Sequence, residues 1–166
     1  MSTMSEGNLQ DQGPRWWDGE VLAKANIMPA TGLATDYLNV FNEAVMLFGL
    51  LPAMPDMIEE LRVWQPLTYE QHFERSGFAA RELAILAYKN ADPAIKEPFD
   101  SMIQTTAALL SLAIVQASDL IKAKADLAEF VSETNLALQS AILMLDGMIH
   151  GGLVGGAQDD IDALFD

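Results

Sequence analysis

The chain has 166 residues, about one domain's length, with 24 acidic against 9 basic side chains and a formal net charge of −15. Nine scattered cations build no basic patch, which excludes nucleic acid and anionic membrane surfaces as partners, while a 51% hydrophobic share separates the chain from acidic disordered proteins. With no cysteine and two histidines there is no disulfide framework, thiolate nucleophile or common zinc or haem site, so neither metal nor cofactor is expected.

Residues 1–26 read as a mostly extended or flexible N-terminal arm, polar and without an apolar period. The arm lacks the basic and apolar regions of a signal peptide, so the expected address is the cytoplasm. Its Trp16-Trp17 pair is expected to clamp it onto its own domain. A helical bundle domain follows over 27–150. Its first helix is predicted from about Gly32 to Gly49, where Leu33, Tyr37, Val40, Phe41, Ala44, Leu47 and Phe48 recur at helical spacing. Asp36, Asn39, Asn42 and Glu43 form a polar ridge on that helix, to be read as a small site, a partner surface or simply its wet side. Pro52 and Pro55 break the chain, and Asp56–Trp64 reads as a short helix with early acids at its positive end. Thr68 and Gln71 make a capping box for another helix, closed by Gly77, on which His72 is a surface or hydrogen-bonded residue. Phe78–Lys89 is helical, and Asp92-Pro93 starts the next element as N-cap and first helical proline.

From Pro93 to His150 nothing breaks the helical pattern except Pro98 and Gly147. One helix there would be about 85 Å long, against about 40 Å for a compact domain of this size. Lys122 and Lys124 suit a helix end and Asp126 to Glu129 suit a helix start, so two antiparallel helices are predicted, about 93–123 and 127–148. The stretch from Ser101 to Ser118 is about the length of a bilayer span. Gln104, Thr105, Thr106, Ser111 and Gln116 interrupt it, and a fully buried helix is the expectation. No alternation is long enough for a strand. The fold class is all-α: a bundle of four to six helices with a long C-terminal antiparallel helical hairpin. Its apolar share leaves surface enough for a homodimer.

After His150 the composition changes. Gly151, Gly152, Gly155 and Gly156 make 151–157 a Gly-rich tether. Residues 158–166 form an acidic amphipathic peptide. As a helix it would place Ile161, Leu164 and Phe165 on one face, with Asp159, Asp160 and Asp162 crowding its N-terminal half. Nine residues do not hold a helix alone in water, so this segment is built to fold on a partner's groove or on its own bundle, or to stay solvated.

The segment Gln158-Asp-Asp-Ile-Asp-Ala-Leu-Phe165 resembles the peptide by which flagellar motor switch proteins bind the chemotaxis response regulator CheY. It is similar, too, to the tethered C-terminal peptide of the chemotaxis phosphatase CheZ, a long helical hairpin. The resemblance implies a CheY-like receiver as partner, with Ile161, Leu164 and Phe165 as apolar anchors and Asp159, Asp160 and Asp162 as acidic contacts. It also draws attention to Asp100 and Gln104, spaced D-x-x-x-Q as in the phosphatase, where the amide orients water towards an aspartyl phosphate. The residues around that pair depart from the phosphatase pattern, and the reading favoured for the pair is a helix-start acid followed by a surface glutamine. The expected function is therefore a cytoplasmic signalling or chemotaxis-related protein that binds a receiver, with auxiliary dephosphorylation at Asp100 and Gln104 a secondary extension of that reading. The alternative is a non-enzymatic structural or interaction bundle, and a third reading is an enzyme using the Asp36–Glu43 ridge.

Overall fold

The computed structural model describes residues 14–152. The protein is all-α: the described residues are 71% helical, with seven α-helices and four residues in strands among them. The described chain forms two compact units, one from 14–37, 68–96 and 148–152, the other from Leu38–Leu67 and Glu97–Gly147.

The first unit opens with α1 (Gly19–Lys24), where the arm was expected to be mostly extended or flexible. The Asp18 carboxylate accepts the Glu20 amide at 3.0 Å, capping one unpaired helix-start donor, and Leu22 is buried. Trp16 and Trp17 meet edge to face at 5.7 Å, both half-buried. Asn26 then takes a positive φ of 61°, a conformation asparagine tolerates better than most residues. Strands β1 (Ile27–Met28) and β2 (Leu33–Ala34) pair antiparallel, Ile27 opposite Ala34 and Met28 opposite Leu33. The reading that expected no strand and a helix from Gly32 is corrected here. Gly32 has a φ of 75°, outside the helical region, and a Cβ on it would lie 3.2 Å from the Ala87 carbonyl oxygen. A 3-10 turn over Thr35–Leu38 follows, and the helix proper, α2 (Asn39–Leu50), starts seven residues later than predicted.

The capping box of α4 (Tyr69–Arg75) is present in both directions. Gln71 N donates to Thr68 Oγ1 at 3.1 Å, and Thr68 N donates to Gln71 Oε1 at 3.0 Å. Tyr69 is the centre of the unit: its ring lies 5.2 Å from Tyr37, 4.8 Å from Phe73 and 4.5 Å from Tyr88 on α5 (Arg81–Lys89). Its hydroxyl accepts the buried Ala34 amide at 2.8 Å.

In the second unit α2 leads through the Pro55–Met57 3-10 turn to α3 (Ile58–Arg62). Phe41, Phe48, Leu51 and Leu61 are fully buried there, and Trp64 Nε1 donates to the Val40 carbonyl at 3.0 Å. The long elements are α6 (Pro93–Lys122), whose first turn belongs to the first unit, and α7 (Ala128–Ile149). Asp92 caps α6 by accepting the Ala94 amide, and Asp126 accepts that of Ala128, each at 3.0 Å. By length and composition alone α6 could cross a membrane. It is not fully buried as expected. Phe99, Thr106, Leu110, Ala113, Ile114 and Ala117 face inward at helical spacing, whereas Leu112 and Val115 are exposed, because partners pack on one face of it. The described residues hold seven α-helices against the four to six expected, and the addition is α1 in the N-terminal arm.

Two predictions follow from these contacts. The end of α6 is a Schellman motif: Lys124 N bonds the Ile121 carbonyl, Ala125 N bonds the Leu120 carbonyl, and Lys124 sits at a φ of 56° where glycine is the usual residue. Lys124→Gly should therefore raise the unfolding free energy by about 1 kcal/mol in urea titrations, by relieving the left-handed penalty. Burial, partly offset by the Ala34 hydrogen bond, holds the Tyr69 hydroxyl well above the usual tyrosine range. Its folded value thus exceeds the unfolded value of about 10, so its contribution is whole below about pH 10 and falls as pH rises further. Tm should drop above that pH, and Tyr69→Phe should flatten the drop while costing about 1–3 kcal/mol near neutrality through the orphaned Ala34 amide.

Candidate functional site

The peptide anchors Ile161, Leu164 and Phe165, with Asp159, Asp160 and Asp162, lie outside the described residues, as does the tether beyond Gly152. The point from which that segment departs is described. Thr31, buried in the β1–β2 turn, donates from Oγ1 to the Ile149 carbonyl at the end of α7 at 2.5 Å and accepts the Leu33 amide at 3.2 Å. One hydroxyl thereby satisfies a helix-end carbonyl and a turn amide together. Gly151 ends the helix at a φ of 81°, its amide bonded to the Met148 carbonyl at 3.0 Å. A Cβ there would stand 3.5 Å from the Thr31 methyl, in ordinary contact, so the positive φ rather than crowding selects glycine.

Asp100 and Gln104 share one side of α6, as their spacing predicts. Asp100 is half-buried and Gln104 is exposed. The predicted ridge is divided: Asn39, Asn42 and Glu43 are exposed on α2, whereas Asp36 sits on the preceding 3-10 turn and turns to His72. His72 Nε2 lies 2.9 Å from Asp36 Oδ2, with the histidine side chain 13% exposed and its ring edge-on to Tyr37 and Phe73. A carboxylate that orients an imidazole is half of a nucleophile-activating arrangement. Ser76, four residues after His72, is engaged elsewhere, donating to the Phe73 carbonyl and accepting the Phe78 amide, each at 3.2 Å. The pair therefore ties the turn to α4. Among the described residues, no group of three or more His, Asp or Glu side chains is placed to hold a metal ion.

Two open clefts among the described residues of the second unit were not announced by the spacing of residues. One, of about 550 Å³, runs between α2 and α7, with Val45, Met46, Ile142 and Leu143 beside Asn42, Gln139 and Asp146. Asn135 lines it as well; its Oδ1 is buried without a hydrogen bond, and its Nδ2 stands 2.8 Å from where a Cβ on Gly49 would be. Gly49 thus gives the Asn135 amide room against α2. The other cleft, of about 380 Å³, lies between α3 and α6 and brings Arg62 and Lys122 beside Trp64, Ile114 and Val115. Lys122 carried a visible signal as the helix-ending lysine; its partnership with Arg62, sixty residues away in the chain, carried none.

The clamp at the end of α7 makes a direct prediction. Thr31→Val keeps the shape and removes the hydroxyl, so the Ile149 carbonyl and the Leu33 amide both lose their partner. Unfolding free energy should fall by about 2 kcal/mol, with faster hydrogen exchange at Leu33. An unchanged urea midpoint would contradict this account.

Comparisons with protein-family models, with curated proteins and with solved structures found no match to this chain.

Proposed function

We propose that this is a cytoplasmic helical signalling protein that recruits a CheY-like receiver through residues 158–166, in the manner of a chemotaxis component. One observation carries the reading beyond the resemblance of the peptide itself. The end of α7 is held by Thr31 and stopped at Gly151, so the Gly-rich tether starts from a defined point instead of from a fraying helix. A peptide so carried searches for its partner at the end of a leash, and its apolar anchors and acids suit a groove with a basic rim. The finer parts of the proposal are that α6 and α7 form the antiparallel hairpin of a phosphatase-like body, and that Asp100 and Gln104 aid receiver dephosphorylation. Exposure of Gln104 supports the second part, since an amide that orients water must reach the partner's phosphate.

A non-catalytic interaction bundle is the second reading, favoured by the large apolar side chains that the second unit exposes: Leu112, Val115, Leu136 and Leu143. Self-association as a homodimer belongs to that reading.

The test is a titration of beryllofluoride-activated CheY with the full chain and with a chain ending at Gly156. Loss of three apolar anchors should weaken binding by about 30-fold or more. Equal affinities would sink the proposal. If binding depends on the tail, receiver phosphate loss with Gln104→Ala against the parent chain tests the accessory activity, and unchanged loss would remove it.

A further inference from the structure

The cleft between α2 and α7 plays no part in the reading above. The end of α2 meets the first half of α7, with the Phe48 and Phe130 rings 6.1 Å apart and the Asn135 amide against Gly49. The cleft is walled by Asn42, Val45 and Met46 on one side and by Gln139, Ile142 and Leu143 on the other. From Asn135 to Asp146 its α7 wall is about 17 Å long at 1.5 Å per residue, the length of three helical turns. The apolar surface does not stop at the cleft. Met46 is 60% exposed on one rim and Leu143 70% on the other. Leu50 and Leu136, four and seven residues away along the same sides of their helices, are exposed as well. A small molecule filling the cleft would leave those side chains in water, whereas a helix laid along it covers them.

The charges around it are of one sign. Together α2 and α7 carry Glu43, Glu129, Glu133 and Asp146, and neither helix has a lysine or arginine. Asp146 lines the cleft, and Glu43 is exposed three residues before Met46 on the α2 rim. Asn42 and Gln139 add exposed amides, and the Asn135 Oδ1 is an acceptor without a hydrogen bond. The α3–α6 cleft selects no sign of charge, since Arg62 is paired with Glu59 and Asp119 lines it together with Lys122. We infer that the α2–α7 cleft docks an amphipathic helix of a partner protein, apolar on the face that enters and flanked by lysine or arginine. Anchors of that helix at i, i+3 or i+4, and i+7 sit between Met46 and Leu143, and its cations meet Glu43 and Asp146. Met46 gives one rim an unbranched side chain that adapts to anchors of different shape. A second copy of this chain suits the cleft poorly, because it brings the same acids against these acids at a formal charge of −15 on each copy. The docking stands whether or not a receiver binds the tail.

The test uses a fluorescein-labelled synthetic peptide of about 18 residues, with leucines on one helical face and lysines flanking them, and a twin with glutamates for the lysines. The full chain is titrated into each at physiological ionic strength, where screening beyond about 8 Å damps diffuse attraction to an acidic protein. No receiver is present, so the outcome is independent of receiver binding. The lysine peptide should bind about tenfold or more tighter than its twin. Leu143→Gln and Met46→Gln should each weaken it by about five- to tenfold, and Glu43→Gln by about threefold. All three positions are exposed, and circular dichroism verifies that the helices stay intact. Leu112→Gln, at a site 55% exposed on α6 and outside the cleft, should leave binding unchanged. Equal affinity for the two peptides overturns the assignment, as does no binding of the lysine peptide at about 100 μM. A loss with Leu112→Gln as large as with Leu143→Gln does the same. So does a dimer in light scattering that Leu143→Gln dissolves, which would place a second copy in the cleft.

Discussion

The hydrogen bond from the Ala34 amide to the Tyr69 hydroxyl is the interaction on which the first unit depends. A buried strand-end amide needs an acceptor, and a buried phenol needs a partner. Each answers the other's requirement, and the ring that carries the hydroxyl then orders Tyr37, Phe73 and Tyr88 around itself. The 3-10 turn, α4 and α5 are fixed by that single side chain. The pairing of Asp36 with His72 repeats the connection a few ångströms away, between the same turn and the same helix.

Helix ends impose the same demand elsewhere. Asp18, Thr68, Asp92 and Asp126 each offer a side-chain oxygen to an amide with no intrahelical acceptor. Lys124 closes α6 in a conformation that costs it, and Thr31 satisfies the last carbonyl of α7 from another segment. The start of the C-terminal segment is therefore set by packing against the β1–β2 turn, a link between residues 118 positions apart. That is where the fold bears on the proposed function: it holds the last turn of α7 and Gly151, immediately before the C-terminal segment begins in the sequence.

In the second unit, helices that are apolar on more than one side leave open clefts beside a buried core. Leu112 and Val115 continue the apolar character of α6 onto its outer face, next to a groove whose cations are scarce in this chain. Arg62 and Lys122 stand there beside Asp119 and the Glu59 that Arg62 bonds, so the groove is charge-balanced within a strongly acidic chain.

The helical class, the breaks at Pro52 and Pro55, the Thr68 capping box and the ends of α6 and α7 were legible in the chain, because caps, prolines and apolar period act over four or five residues. The acidic peptide is a reading of nine consecutive positions that lie outside the described residues. The Gly32–Leu38 segment was misread as helix, because its periodic apolar residues obey the helical spacing while Gly32, the β1–β2 pairing and Tyr69 decide otherwise. His72 and Asp36 stand 36 positions apart, Arg62 and Ser118 56 positions apart. No local pattern encodes such meetings. The sequence by itself determined the helical class, the capped start of α4, the ends of α6 and α7, and which segment carries acidic and apolar residues together. Only the tertiary structure decided which distant side chains share a hydrogen bond or a cleft, since those depend on burial that no short window of residues contains.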